Sequence, residues 1–204
     1  MFRKSGTALV APAALLVLVV GCSKVPVDRV ETARNAVADA QQAESAEYAA
    51  PAMAEAEKSL AEMDEEIRIQ NDKFKLFRSY GRVNELAAKA ESTGVAAATA
   101  AQEGKVKARV EVLAAIAEVK MSLEETRQLL AQAVTGKGTE ADIEEMQSSL
   151  DEVEGLLQEI DGDVSREKFL AARRKVEIAV ASLNSIQGAL MAAREQQQAS
   201  GPRS

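Results

Sequence analysis

The chain has 204 residues, no His, no Trp and a single Cys, which excludes intramolecular disulfides and the familiar His/Cys zinc sites. An aromatic content of 3% and a formal net charge of −7 disfavour base-stacking platforms, nucleic acids and anionic lipid headgroups as partners. No Walker loop, nucleophile elbow or glycine-rich phosphate turn is present, so we expect no enzyme, no cofactor and no metal site.

Residues 1–21 form a predicted lipoprotein signal peptide. Arg3 and Lys4 supply a positive n-region, and an apolar run of about fourteen residues follows, which suits a signal and is too short to span a bilayer. The run ends in the sequence Val-Val-Gly-Cys at Cys22. This pattern predicts a diacylglycerol thioether on Cys22, cleavage just before it, and acylation of the new amino group by a fatty acid such as palmitate.

Lipidation at Cys22 would anchor the mature chain to a membrane without making it span one. Two or three acyl chains hold a protein on a bilayer almost permanently. Residues 22–27 then form a short lipidated tether. Ser23 stands where an Asp would favour retention in the inner membrane, so the sequence resembles the outer-membrane class, facing the periplasm.

Beyond the tether, apolar residues recur at alternating steps of three and four, the spacing of one buried face on packed helices. No segment has a comparable strand pattern. The sequence therefore predicts an all-α, elongated, coiled-coil-like helical bundle. In chain order, the six apolar stripes run from Val30 to Ala40, Met53 to Ile67, Leu76 to Ala90, Val112 to Ala133, Ile143 to Ile160 and Phe169 to Leu190.

Turn residues separate these stripes. Pro51 suits the first turn of the second helix, where its missing amide donor costs nothing. The other predicted signals are helix caps at Asn71 and Asp72, a stop and capping box at 136–142, a turn at 161–165, and a disordered tail at 196–204.

The stripes also indicate an internal repeat. Shifting the first stripe onto the fourth aligns Val30 with Leu123 and Ala40 with Ala133, and the second and third stripes align similarly with the fifth and sixth. This predicts two related three-helix units, 28–103 and 104–195. Coincidence between heptad patterns is the alternative.

The junction between the two units allows two structures. Residues 73–134 contain no Pro, and the stripes can be joined through Ala101, Lys105 and Ala108, which predicts one long shared helix. Gly94 and Gly104 favour a bend instead, because each costs about 1 kcal/mol relative to Ala inside a helix.

The stretch 30–90 resembles a family of alanine-rich helical-hairpin domains in bacterial lipoproteins, a family labelled as of unknown function. The resemblance lies in the sequence Ala-Glu-Tyr-Ala-Ala-Pro at 46–51, in Ala56 and Leu60, and in the sequence Leu-Ala-Ala-Lys-Ala at 86–90. It implies a helical hairpin behind a lipoprotein signal. It implies no catalytic or binding residue.

Three functions are compatible with this sequence. We favour a non-catalytic structural or adaptor lipoprotein, anchored through Cys22 and meeting another envelope protein through its helices. An alternative is a periplasmic binding module that holds an apolar ligand between helices. Covalent attachment to peptidoglycan through a C-terminal lysine is disfavoured by residues 201–204. The methionines that could line an apolar cavity are Met53, Met63, Met121, Met146 and Met191.

Overall fold

A computed structural model describes residues 24–132 and 140–200. All regular structure in these ranges is helical, with no strand, which confirms the all-α prediction. A single 3₁₀ turn lies at Lys75–Phe77. The six helices are α1 (Val27–Gln42), α2 (Ser45–Tyr48), α3 (Ala50–Asp72), α4 (Gly81–Ala131), α5 (Glu140–Ser165) and α6 (Phe169–Ser200).

Helix α4 is the axis of the fold. It joins most of the predicted third and fourth segments into one helix of 51 residues, about 76 Å long at 1.5 Å per residue. The continuous-helix alternative is therefore the one that the structure adopts. Helices α1, α2 and α3 pack on its first half, and α5 and α6 pack on its second half.

Core residues give the directions of the first three helices. One cluster contains Val30 with Tyr80, while Val37 shares the next cluster with Ala97, so α1 runs parallel to α4. Met63 belongs to the cluster of Tyr80, and Met53 belongs to that of Ala97, so α3 runs antiparallel. Pro51 lies in the first turn of α3, as its sequence position predicts.

Cross-helix contacts give the directions of the last two helices. Arg127 pairs with Glu154 and Lys120 pairs with Asp161, so positions farther along α5 lie nearer the start of α4 and the two helices run antiparallel. The Gln187 amide of α6 donates to the Thr126 hydroxyl at 2.8 Å, and the Thr126 hydroxyl donates to the Ser122 carbonyl oxygen at 2.6 Å. This bonding satisfies the one polar residue in the buried stripe of the fourth segment. Arg173 near the start of α6 pairs with Glu111, and Gln187 farther along contacts Thr126, so α6 runs parallel to α4. Both units thus have an up-down-up order, and the internal repeat stays a prediction.

The two glycines expected to favour a bend lie inside α4 and serve close packing instead. A Cβ at Gly94 would lie 2.8 Å from the backbone carbonyl carbon of Ala36 on α1. A Cβ at Gly104 would collide with the carbonyl oxygen of Tyr48 on α2. Because no side chain fits there, glycine lets α1 and α2 approach α4 without interrupting it.

Several predicted boundaries are wrong. Asn71 and Asp72 end α3 rather than cap the next helix, which begins at Gly81. The segment 161–165 is the last turn of α5, and the chain turns at 166–168 instead. Residues 196–200 of the predicted disordered tail are helical. The predicted stop and cap at 136–139 lie outside the described residues.

Helix α6 has an apolar composition that its packing explains. Among the described residues, Phe169–Glu195 is the one segment whose length and mean hydropathy of 1.3 would suffice to cross a membrane. Its stripe from Phe169 to Leu190 is nevertheless buried, with most of these residues in the core shared with α4 and α5. This stripe therefore belongs to a bundle core, whereas Ile178, Val180 and Met191 of the same helix are exposed.

Candidate functional site

The predicted attachment residue, Cys22, lies outside the described residues, but the structure places the chain that follows it. Val25 packs against the core cluster that contains Tyr80 and Val83, at the N-terminal end of α4. Three steps of the chain, which span at most about 10 Å when fully extended, separate Val25 from Cys22. The loop that joins α3 to α4, residues 73–80, lies at this same end of the bundle and is called the end loop below.

Polar contacts hold the end loop in one conformation. The Ser79 amide donates to the Gln70 side-chain oxygen at 3.0 Å, and Gln70 is buried. The Tyr80 hydroxyl donates to the Asn71 side-chain oxygen at 2.7 Å, and the Arg78 guanidinium donates to the Asn71 carbonyl oxygen at 2.7 Å. The last turn of α3 thus holds the end loop through Gln70 and Asn71.

Three large apolar side chains of the end loop face outward despite this ordered support. Phe74 is 69% exposed, Leu76 83% and Phe77 75%, whereas Tyr80 beside them is 1% exposed. The sequence prediction that placed Leu76 on a buried stripe is therefore wrong. Clustered exposed apolar side chains of this size mark interaction sites on soluble proteins.

The end loop and the start of α4 also differ in charge from the rest of the chain. Segment 73–82 contains no acidic residue, although acidic residues outnumber basic ones by 32 to 25 overall. Arg82 is paired with Glu85 at 2.9 Å, while Lys73 and Lys75 form no ion pair within the described part of the chain. The cations of this segment are Lys73, Lys75, Arg78 and Arg82.

A second polar cluster lies where the two units meet along α4. The Lys105 ammonium is 3.0 Å from a carboxylate oxygen of Glu44 and 3.0 Å from one of Glu167. Both glutamates occupy turns with φ of 59°, one after α1 and the other between α5 and α6. Hydrogen bonds to Glu44 and Glu167 raise the pKa of Lys105 above its usual value. This cluster ties the two turns to the central helix.

The methionines proposed for an apolar cavity are dispersed. Met53 and Met63 are buried in the core of the first unit, whereas Met121 and Met191 face solvent on the second unit and Met146 is half-buried there. They surround no common cavity.

An open groove lies between α4 and α6. It has a volume of about 470 Å³, and its apolar lining includes Val112, Ala115, Val176 and Val180. Glu111 and Arg173, whose charged groups are 3.7 Å apart, lie at its edge. A shallow apolar groove with a charged rim suits a helix face better than an enclosed small molecule.

Within residues 24–132 and 140–200, no three Asp, Glu, His or Cys side chains form a group that could hold a metal ion. Comparison with known proteins supplies no relative, because no family model, curated protein or solved structure matches this chain.

Proposed function

We propose that this protein is a lipid-anchored envelope protein with a non-catalytic adaptor role, held by Cys22 on the outer membrane and facing the periplasm. The proposal joins the predicted signal of residues 1–21 to the resemblance of 30–90 to lipoprotein hairpin domains. Its partner is another envelope protein, met through helical contacts.

The observation that carries the proposal is the position of the chain entry relative to α4. Val25 packs at the N-terminal end of this helix, and α5 and α6 cover its C-terminal half. An anchor at Cys22 therefore lies at one end of a helix about 76 Å long, with the second unit at the other end. Such an arrangement allows the second unit to reach away from the membrane surface.

The α4–α6 groove supports the adaptor role. Val180 in its lining is an apolar residue of the second unit that remains 41% exposed. An amphipathic helix of a partner could bury Val180 against the groove lining.

One experiment with two readouts tests the proposal. Cells that express the full chain are fed a clickable fatty acid, and a photo-crosslinking amino acid replaces Val180. We expect fatty-acid label on the wild-type chain and none on Cys22→Ala, because the thiolate of Cys22 is the acceptor. We also expect a crosslinked adduct of one defined mass from position 180.

The control position for crosslinking is Met121, which is similarly exposed on α4. An adduct from position 180 that is missing from position 121 supports a specific helical contact. Equal labelling of wild type and Cys22→Ala would contradict the anchor, and identical adducts from both crosslinking positions would contradict the adaptor role.

A further inference from the structure

We propose that the end loop is a second membrane contact, which inserts Phe74, Leu76 and Phe77 into the membrane interface while Lys73 and Lys75 meet anionic lipid headgroups. This inference rests on the proposed lipidation of Cys22, which brings the loop to the bilayer. It adds a lipid-binding surface within the folded chain to an anchor that lies outside the described residues.

The first argument is distance. Val25 belongs to the packed end of the bundle, and at most about 10 Å of chain separates it from Cys22. A lipidated Cys22 lies at the membrane surface, so the bundle end is held close to the headgroups. Tyr80, which packs in the same cluster as Val25, is the last residue of the end loop. The short chain between Cys22 and Val25 therefore keeps the end loop close to the bilayer.

The second argument is the composition of the loop. Phe and Leu side chains with basic neighbours are typical of segments that lie in the membrane interface. Here Phe74, Leu76 and Phe77 are exposed, while Tyr80 fills the core behind them. Hydrogen bonds from the end of α3 hold the second half of the loop, at residues 78–80, while these three side chains stay exposed. Lipid at this end would cover apolar surface that the fold itself leaves in water.

The third argument is charge. The net charge of −7 disfavours anionic lipids for the chain as a whole, but a surface interacts through charges within about one Debye length. Segment 73–82 carries four cations and no acid. Lys73 and Lys75 flank Phe74 and form no ion pair with the described residues, so their ammonium groups are available for phosphate. Juxtamembrane lysines of this kind favour anionic headgroups.

The two contacts together orient the molecule. An acylated residue alone lets the bundle swivel about its tether, whereas an inserted loop at the same end fixes that end against the bilayer. Helix α4 begins at Gly81, directly behind the loop, and extends away from it. The second unit is then directed away from the membrane rather than along it.

The absence of Trp from the chain makes a direct test possible. Full-length lipidated protein that carries Phe77→Trp is reconstituted into phosphatidylethanolamine–phosphatidylglycerol vesicles whose acyl chains are brominated. Bromine quenches Trp only at contact, so we expect quenching of at least about twofold relative to unbrominated vesicles. The matched control is Val110→Trp, an exposed apolar position on α4 about 40 Å from Gly81, which we expect to be unquenched.

A second comparison tests the charges. Replacing both Lys73 and Lys75 with Gln should reduce quenching of Phe77→Trp in the phosphatidylglycerol vesicles to the level in neutral vesicles. Lys107→Gln, which changes an exposed lysine on α4, should leave the quenching unchanged. Equal effects of the two changes would overturn the headgroup contact.

Other outcomes separate this inference from the proposed function. Mass spectrometry that shows acylated Cys22 together with an unquenched Phe77→Trp variant would overturn the loop insertion and leave the anchor standing, with a protein as the occupant of the loop. If mass spectrometry finds no acyl group on Cys22 of the chain made in cells and Phe77→Trp is still quenched, the result would support the loop contact and contradict the lipid anchor. Equal quenching of Phe77→Trp and Val110→Trp would contradict end-on contact.

Discussion

Gly94 and Gly104 of α4 illustrate how neighbouring helices decide the effect of a single residue. The residues next to each glycine in the sequence are typical of a helix, so the sequence alone assigns each glycine its usual destabilising cost in a helix. The structure gives them another role, because the backbones of α1 and α2 occupy the space of a Cβ. Gly188, in α6, has nothing within 4 Å of that space.

The two environments predict opposite effects for the same substitution. Gly104→Ala should lower the free energy of unfolding by up to about 2 kcal/mol, since overpacking costs about 1–3 kcal/mol and the better helix propensity of Ala recovers about 1. Gly188→Ala should raise it by about 0.5–1 kcal/mol. Chemical denaturation of both variants measures the difference. If Gly104→Ala proved as stabilising as Gly188→Ala, the close approach of α2 to α4 would be wrong.

Among the elements, helical stripes were predictable and helix ends were not. The apolar stripes from Val112 to Leu130 and from Phe169 to Leu190 are buried as predicted. The spacing of apolar residues alone determines which face of a helix packs against its neighbours. Leu76 fits the spacing that leads to Tyr80, yet it lies in a loop. Spacing cannot show that Asn71 would be used to hold this loop rather than to cap α4.

The candidate site was missed for the same reason. Its only signal in the sequence is the run Phe-Lys-Leu-Phe at 74–77, where three large apolar residues in four depart from helical spacing inside a segment without acids. That run predicts neither the exposure of its side chains nor the end of the bundle at which it lies. Both depend on the parallel packing of α1 on α4, which is a tertiary property.

The turn between α5 and α6 explains another boundary that the sequence misplaced. The sequence Asp-Gly-Asp at 161–163 is typical of a turn, but Asp163 is buried in the last turns of α5. Its carboxylate is 2.9 Å from the Lys175 ammonium of α6 and 2.8 Å from the Arg166 guanidinium. These charge-assisted bonds let the helix continue through Asp163.

These bonds predict how stability depends on pH. Hydrogen bonds from Lys175 and then Arg166 lower the pKa of Asp163 below its ordinary value of 3.8. A carboxyl group whose pKa is lower in the folded state stabilises the fold above its unfolded pKa, and this stabilisation is lost as pH falls through the folded pKa. Asp163→Asn should therefore lower Tm at neutral pH, and the difference from wild type should shrink below about pH 4.

Thermal melts between neutral pH and pH 2 test this, with Asp151→Asn as the control. Asp151 is exposed on the same helix and forms no ion pair within the described ranges. A difference between Asp163→Asn and wild type that stays constant across this range would contradict the assigned role of the pair.

At the scale of the whole molecule, α4 makes the two units one elongated body. Neither unit is complete without α4, because each unit uses one half of this helix as one of its three long helices. Lys105 links the turns of both units at the middle of this helix. The separation between the end loop and the second unit is therefore determined by a helix rather than by a linker.

This architecture predicts an elongated particle in solution. Small-angle scattering of the chain from Lys24 onward, which contains every described residue, should give a maximum dimension of at least about 76 Å. Val106→Pro should shorten it, because proline in a helix interior removes a hydrogen bond and kinks the axis at a cost of about 3 kcal/mol. Val106 is exposed between the two units, so Val106→Ala serves as the control and should leave the scattering unchanged. A wild-type maximum dimension well below 76 Å would contradict the single helix, and the second unit would then lie beside the end loop rather than beyond it.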